Sequence, residues 1–150
     1  MTVLIQENSF DMGRVLNEFA DRLSGAGAVV SFSGIVRDIA TEDLRAMEIE
    51  HFPGMTERAL LAIRDDAVAR FFLIDALILH RFGTLTAGEA IMMVATAALH
   101  RTDAFDGAVY LMDYLKSRAP FWKKEITERG GRWVEAQERD EAALRRWSQG

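Results

Sequence analysis

Apolar and polar positions recur along the chain with two different periods, one typical of β-strands and the other of α-helices. Apolar segments of strand length predict strands at residues 2–7, 28–37, 47–51, 73–82, 90–99, 121–126 and 132–136. Apolar residues at helical spacing predict helices at residues 9–23, 56–71, 102–117 and 138–147. Because strands and helices alternate, the pattern predicts an α/β or α+β fold with helices packed on a mixed sheet.

The ends of these elements are marked by residues with strong local preferences. Side chains suited to capping a helix N-terminus precede three helical segments, namely Ser9, Thr56 and Thr102. Residues 83–88 are expected to form a turn, and residues 38–43 are expected to form a polar loop.

Two strands and one face of the third helix are predicted to be buried. Residues 90–99 form a continuous apolar run, as in a strand covered on both faces, and residues 28–37 are rich in β-branched residues. The core face of the third helix is expected to contain Phe105, Val109, Met112 and Leu115.

The composition is that of an ordinary globular protein. With 150 residues, 49% hydrophobic and 27% charged, the chain is expected to fold as one domain spanning residues 1–150. It contains no apolar run of the roughly 18 residues that a membrane span requires, and its N-terminus lacks the features of a signal peptide. A cytoplasmic location is therefore expected. The pI near 5.2 disfavours a general nucleic-acid binder.

Several kinds of active site are disfavoured by the residues present. The chain has no Cys, which excludes a disulfide framework, a thiolate metal site and a cysteine nucleophile. Its 3 His lie on separate segments without metal-ligand spacing, so each is expected to be a hydrogen-bonded structural residue, and no metal or cofactor is expected. No serine has the His and carboxylate partners that a nucleophile requires. Lysine remains the strongest candidate for chemistry.

Four cations collect around Pro120, although the formal net charge of the chain is -5. They are Lys116, Arg118, Lys123 and Lys124. Since proline cannot continue a helix, Lys116 is expected in the last turn of a helix and Lys123 on an extended segment after the bend. Crowding by other cations and partial burial would both lower a lysine pKa toward the range useful for proton transfer. Alternatively, Lys116 and Arg118 only complement the negative end of the helix dipole.

Further cations lie at the ends of predicted elements. They are Arg37, the pair His80-Arg81 and the pair His100-Arg101. Arg101 stands near a helix N-terminus, whose free N–H groups favour an anion, and arginine can grip a phosphate with two hydrogen bonds. These positions predict a pocket for an anionic small molecule such as a phosphate ester, although the chain has no familiar Gly-rich phosphate loop.

Five segments together resemble a known family. They are Phe32-Ser-Gly-Ile-Val-Arg37, Glu48-Ile-Glu-His-Phe-Pro-Gly-Met55, His80-Arg-Phe-Gly83, His100-Arg101 with Ala104-Phe105, and Asp113-Tyr-Leu-Lys-Ser-Arg-Ala-Pro-Phe-Trp-Lys123. With Trp133-Val-Glu-Ala136, they cover nearly the whole chain, which resembles the large, catalytic subunit of molybdopterin synthase, the MoaE family.

The resemblance implies a sulfurtransferase of molybdenum cofactor biosynthesis. Such an enzyme converts cyclic pyranopterin monophosphate (precursor Z) into molybdopterin by installing a dithiolene. Sulfur arrives as a thiocarboxylate on the C-terminal Gly-Gly of a small ubiquitin-like partner of the MoaD type. The implied assembly is a homodimer of large subunits within a heterotetramer, and the implied fold is of the α/β-hammerhead type with an added antiparallel β subdomain. A chain without Cys would need such an external sulfur donor.

The resemblance also implies roles for individual residues. Lys116 and Lys123 would be catalytic, the first orienting the thiocarboxylate and the second binding the pterin as acid or base. The substrate phosphate and pterin would be held by Arg37, His100 and Arg101, the His-Arg pair acting in its own pocket or in that of a neighbouring subunit. Arg118 and Lys124 would bind substrate or only raise the local positive potential.

The chain departs from the family pattern at Phe82, where a small aliphatic residue is expected, and at Gln137, where a basic residue is expected. The alternative function is a non-catalytic module that binds a phosphorylated small molecule or the tail of a partner protein. Nucleic-acid binding through the basic and aromatic segment is a third hypothesis, disfavoured by the net charge.

Overall fold

The structure is a computed structural model that describes residues 2–37, 44–127, 130–134 and 138–148. In these residues the strands are β1 Val3–Gln6, β2 Ala28–Ile35, β3 Leu44–His51, β4 Asp75–Arg81, β5 Gly83–Thr86, β6 Ala90–Ala98, β7 Phe121–Thr127 and β8 Gly130–Val134. The helices are α1 Met12–Asp21, α2 Met55–Phe71, α3 Arg101–Ser117 and α4 Glu138–Ser148.

The strands form two four-stranded sheets. The first sheet has the order β1-β4-β6-β2, in which β1 runs parallel to β4 and the other neighbours are antiparallel. The second sheet has the order β5-β3-β7-β8 and is antiparallel throughout. The predicted fold class, a mixed sheet with packed helices and an additional antiparallel sheet, is confirmed.

The two sheets meet at one end of the first sheet. Strand β4 ends there at Arg81, and after Phe82 the chain enters β5 of the second sheet. Strand β2 ends at the same place, because Ile35 pairs with Ala90 at the start of β6. Helix α3 follows β6 and packs back along β6 and β2, so its C-terminal turn returns to this end as well.

The core spans both sheets. Its larger cluster combines Ile49 and Leu85 of the second sheet with Ile78 and Val94 of the first, packed against Leu111 of α3. A smaller cluster lies under α1 and contains Phe19, Leu77, Ala95 and Ala97. Every residue of β6 after Ala90 is buried, which confirms the prediction of a strand covered on both faces.

The three predicted helix caps are wrong. Helix α1 is capped by Asp11, whose Oδ1 accepts a hydrogen bond from the Arg14 N–H at 3.1 Å. The N-cap positions of α2 and α3 are Gly54 and His100. A hydroxyl near a helix start does not by itself identify the cap, because several neighbouring residues can satisfy the first N–H groups.

The buried side of α3 also differs from the prediction. Its buried face contains Ala104, Ala108 and Leu111, whereas Phe105 is 56% exposed. A Cβ on Gly107 would lie 2.9 Å from Leu73 Cδ1, so this face consists of small residues that allow close packing. Of the remaining predicted core residues, Val109 is exposed, and Met112 and Leu115 are partly buried.

Two strand predictions need correction. Strand β2 lies at the edge of the first sheet and is not buried, since Phe32 is 45% exposed and Ile35 is 48% exposed. The predicted turn at 83–88 contains strand β5, which pairs with β3 and buries Leu85 completely. The predicted loop at 38–43 and Gln137 lie outside the described residues. No helix among the described residues is long and apolar enough to cross a membrane.

Candidate active site

Lys116 and Lys123 lie on either side of a bend that hydrogen bonds hold in place. Helix α3 ends at Ser117, and the N–H groups of Arg118 and Ala119 both donate to the Tyr114 carbonyl, at 2.7 and 3.2 Å. Lys116 is exposed in the last turn of α3, and Lys123 is partly buried on β7. The predicted positions of both lysines relative to the bend are confirmed.

Thr56 connects this bend to the start of α2. Its Oγ1 donates a hydrogen bond to the Pro120 carbonyl at 3.1 Å and accepts one from the Phe52 N–H at 3.0 Å. Thr56 itself is fully buried. The residue expected to cap α2 therefore fixes the segment that joins the two lysines.

The two lysines interact electrostatically. Burial, and to a lesser extent the positive charge of Lys116, lower the pKa of Lys123 to about 8, while Asp140 of α4 acts in the opposite direction. A lysine with a pKa near 8 has a neutral fraction large enough for proton transfer at physiological pH.

His80 lies close enough to both lysines for their charges to affect it. Its ring is 3% exposed and stacks on Phe121, with a centroid separation of 3.8 Å and an interplanar angle of 16°. Burial and the charge of Lys123 lower its pKa to about 3, with smaller effects of the same sign from Lys116 and His51. The ring is therefore neutral near pH 7. Its Nδ1 lies 2.8 Å from the Arg81 carbonyl, so Nδ1 carries the proton and Nε2 is left as an acceptor.

The aromatic residues of this region pack within the chain. The ring centroids of Phe121 and His51 are 6.4 Å apart, and those of His51 and Phe82 are 4.4 Å apart. Trp122 meets Phe52 edge-on at 4.6 Å. Phe121 and Trp122 therefore pack against other rings of the chain, and Phe82, a departure from the family pattern, has His51 as its ring partner.

Arg81 is held in a structural role. Its guanidinium donates to the Glu7 carbonyl at 3.1 and 2.9 Å and pairs with Glu89 at 3.3 Å. The residue is buried. Of the His80-Arg81 pair that the sequence placed at a strand end, only the histidine reaches the lysines.

Arg37 and the pair His100-Arg101 lie at opposite ends of the first sheet. Arg37 follows β2, whose end adjoins the start of β6, so it lies at the end where the sheets meet. His100 and Arg101 lie beyond the other end of β6 and are exposed. At about 1.5 Å of rise per residue, about 22 Å of α3 separate Arg101 from Lys116. Within one chain the structure does not bring this pair to the lysines.

Arg118 and Lys124 have partners away from Lys123. Arg118 donates to both carboxylate oxygens of Glu141 on α4, at 2.8 and 3.0 Å. The Lys124 amine lies 5.5 Å from the centre of the Trp133 ring. Because neighbouring residues of a strand point to opposite faces, Lys124 and Lys123 project to different sides of β7.

Helix α4 is docked by Trp147. The indole Nε1 donates to Asp113 at 2.6 Å, and Arg70 donates to the Trp147 carbonyl at 3.0 Å. The indole also packs edge-on against Phe71 and Tyr110. This docking holds α4 beside the site, where the negative charge of Asp140 raises the pKa of Lys123. No local pattern in the sequence predicts this effect.

The fold and site define an α/β protein with a lysine-based cationic site where a mixed sheet meets an antiparallel one. The model of the family described as MoaE protein matches residues 5–118, so the chain belongs to the MoaE family. The resemblance to this family that the sequence motifs indicate is confirmed. The matched segment contains Lys116 and ends before Lys123.

Individual relatives cover the whole chain. The molybdopterin synthase catalytic subunit of Cereibacter sphaeroides is 60% identical over 147 residues, which are 98% of this chain and 100% of the relative. The structure of a molybdopterin biosynthesis MoaE protein from Burkholderia ambifaria is 48% identical, with a TM-score of 0.84 over 98% of this chain and 97% of that one. The structure of molybdopterin synthase from Staphylococcus aureus shares 30% sequence identity with this chain. Its TM-score is 0.79, and the match covers 88% of this chain and 96% of that one. The predicted class, an enzyme of the molybdopterin synthase type, is confirmed.

Proposed function

We propose that this chain transfers sulfur from the C-terminal thiocarboxylate of a small ubiquitin-like carrier protein to cyclic pyranopterin monophosphate. The product would be the dithiolene of molybdopterin. Membership of the MoaE family supports this function. Because the chain has no Cys to carry the sulfur itself, the sulfur would pass directly from the carrier protein to the pterin. The reaction would take place in the cytoplasm, within a single domain that spans residues 1–150.

The observation on which the proposal depends is the electrostatic contact between Lys116 and Lys123. The charged Lys116 amine would bind and orient the anionic thiocarboxylate at the exposed side of the site. The lowered pKa of Lys123 suits it to act as a base deeper in the site. The two amines would thus divide anion binding and proton transfer between them.

The need for a base follows from the chemistry of the transfer. The carrier's sulfur forms a bond to a carbon of the pterin side chain as the carbon–oxygen bond at that carbon breaks and its oxygen is displaced. The bond between the sulfur and the acyl carbon of the tail then breaks as water adds to the acyl carbon. The tail leaves as a carboxylate and the sulfur remains on the pterin, so the two protons of the water must be removed, the second by the displaced oxygen. Neutral Lys123 would accept the first of them.

The anionic substrate would be held by Arg37, His100 and Arg101. Arg37 lies at the same end of the first sheet as the lysines, which supports its assignment to their own pocket. The distance along α3 supports assigning His100 and Arg101 to the pocket of a second copy of the chain. Arg118 and Lys124 would only raise the positive potential around the pocket, since each already contacts another side chain.

The proposed assembly is a homodimer of this chain that binds one carrier protein at each site. Apolar side chains on the described surface support the presence of partners, among them Phe105 on α3 and Phe32 on the edge strand β2. The name of the relative from Cereibacter sphaeroides, a catalytic subunit, also supports a second kind of subunit.

Reconstitution tests the function directly. Purified protein, cyclic pyranopterin monophosphate and a thiocarboxylated carrier should yield molybdopterin, detected by mass spectrometry. Lys116→Ala should reduce the yield at least about 100-fold, since positioning and electrostatic stabilisation are each worth several kcal/mol. Wild-type protein that binds the pterin without forming product would instead support a binding module, and normal turnover by both Lys116→Ala and Lys123→Ala would overturn the mechanism.

A further inference from the structure

We propose that His80 is a positioning residue: its ring supports Phe121, and through Phe121 it holds β7 so that the Lys123 amine lies beside Lys116. This inference rests on the proposed roles of the two lysines. His80 does not act on the substrate, and its contribution passes entirely through the strand that bears Lys123.

His80 is well suited to serve as a fixed support. It lies near the end of β4, a central strand of the first sheet, where Ile5 and Met92 are its neighbours on the flanking strands. Its ring is oriented by the hydrogen bond from Nδ1 to the Arg81 carbonyl. Arg81 is itself anchored to Glu7 and Glu89. The ring therefore has little freedom to move.

The His80–Phe121 stack lies close to Lys123 along β7. Phe121 stacks on His80 and begins β7, and Lys123 lies two residues further on the same face of the strand. In the pairing of β7 with β3, Phe121 lies opposite His51 and Lys123 lies opposite the buried Ile49. If the stack is lost, the start of β7 loses this contact with the first sheet, and water can reach the Lys123 amine.

The charges around the ring explain why a neutral flat side chain fits this position. Lys123 of β7, Lys116 of α3 and His51 of β3 all act on His80, and each disfavours a positive charge there. Lys123 in turn faces Lys116 and, from α4, Asp140. A permanently charged side chain at position 80 would add a further cation to the lysine pair. A neutral imidazole provides the stacking surface without that repulsion.

The experiment measures the titration of Lys123 without substrate, by NMR of protein labelled at lysine Cε. Lys123→Arg assigns the signal by its disappearance. In the wild-type protein the midpoint should lie at about 8. In His80→Ala it should rise by about one unit or more, because admitted water stabilises the charged amine. His80→Phe keeps a ring against Phe121 and should return the midpoint toward the wild-type value.

Turnover provides the second readout. His80→Ala should lower kcat about 10- to 100-fold with little change in KM, as expected when a reacting group is misplaced. Phe121→Leu removes the other ring of the stack and should reproduce both effects. It can replace His80→Ala if that variant does not fold. Phe19→Leu, in the separate cluster under α1, is the control for a general loss of stability, and it should leave the Lys123 midpoint unchanged.

Two results would overturn the inference: an unchanged midpoint and kcat in folded His80→Ala, or a His80→Phe variant that titrates like His80→Ala. Since the titration needs no substrate, it is independent of the proposed function. A protein that makes no molybdopterin but shows the expected shifts would refute the sulfur transfer and support the positioning role.

Discussion

Lys116 lowers the pKa of Lys123 from the opposite side of a proline bend. The first residue belongs to a helix that packs on the mixed sheet, and the second belongs to a strand of the antiparallel sheet. Their relative position therefore depends on how the two sheets are joined. Groups at that junction, such as Thr56 and His80, are expected to influence the chemistry without touching the substrate.

The first prediction concerns the pH dependence of the reaction. The pKa of Lys123 is lowered to about 8, so its neutral fraction increases as the pH rises through that value. If neutral Lys123 is the base, single-turnover rates should rise up to about pH 8 and then level off. Rates measured by rapid quench between pH 6 and 9.5 would reveal this ionisation. Lys123→Arg, which cannot titrate in this range, should be slow and should show no such step.

Asp140 is predicted to keep the pKa of Lys123 from falling further. Its negative charge opposes the effects of burial and of Lys116, so Asp140→Asn should lower the titration midpoint of Lys123 below about 8. The pH–rate curve should move to lower pH by the same amount. Asp21→Asn, on α1 and remote from the site, is the control and should leave the curve unchanged. A midpoint unaffected by Asp140→Asn would contradict the assigned interaction.

Lys123 is predicted to reduce the stability of the folded protein below pH 8. Unfolded lysine has a pKa near 10.5, against about 8 in the folded state, so between these values the unfolded chain binds more protons and stability rises with pH. Lys123→Met should therefore increase the free energy of unfolding at pH 7, by at most about 3 kcal/mol. Urea denaturation at several pH values would test this, and the gain should disappear toward pH 10.5.

Thr56→Val should weaken the connection between α2 and the bend. It removes the hydrogen bonds to the Pro120 carbonyl and from the Phe52 N–H, and it leaves both groups without that partner. The expected loss of stability is about 1–3 kcal/mol. Turnover should fall as well, because the bend positions both lysines. Thr84→Val, at an exposed position on β5, is the control, and equal losses in the two variants would argue against a special role for Thr56.

The sequence predicted those parts of the site that depend on local rules. Proline ends a helix wherever it stands after one, so Lys116 in the last turn and Lys123 on a strand followed from Pro120 alone. The continuous apolar run of β6 predicts a strand covered on both faces for a similar reason, and the strand is buried. The separation of Arg37 from His100-Arg101, however, depends on the pairing of β2 with β6, and no local pattern specifies that pairing.

Apart from the helix caps, the errors share one physical origin, which is contact between residues distant in the chain. The large apolar residues Phe105 and Val109 were assigned to the core face of α3, whereas close packing against Leu73 selects the face with Gly107 and Ala108. His80 was expected to be structural, and its hydrogen bond agrees with that. Its place beside two lysines arises only when β4 and β7 come together.

The length of α3 has a further consequence for how subunits would cooperate. If Arg101 serves the pocket of a second copy, each chain contributes one half of two different pockets, and two inactive variants can complement one another. In a hybrid dimer of Lys116→Ala and Arg101→Ala, both lesions fall in one pocket and the other pocket is intact. An equal mixture allowed to exchange subunits should recover about a quarter of the wild-type activity, because half of the randomly paired dimers are hybrids.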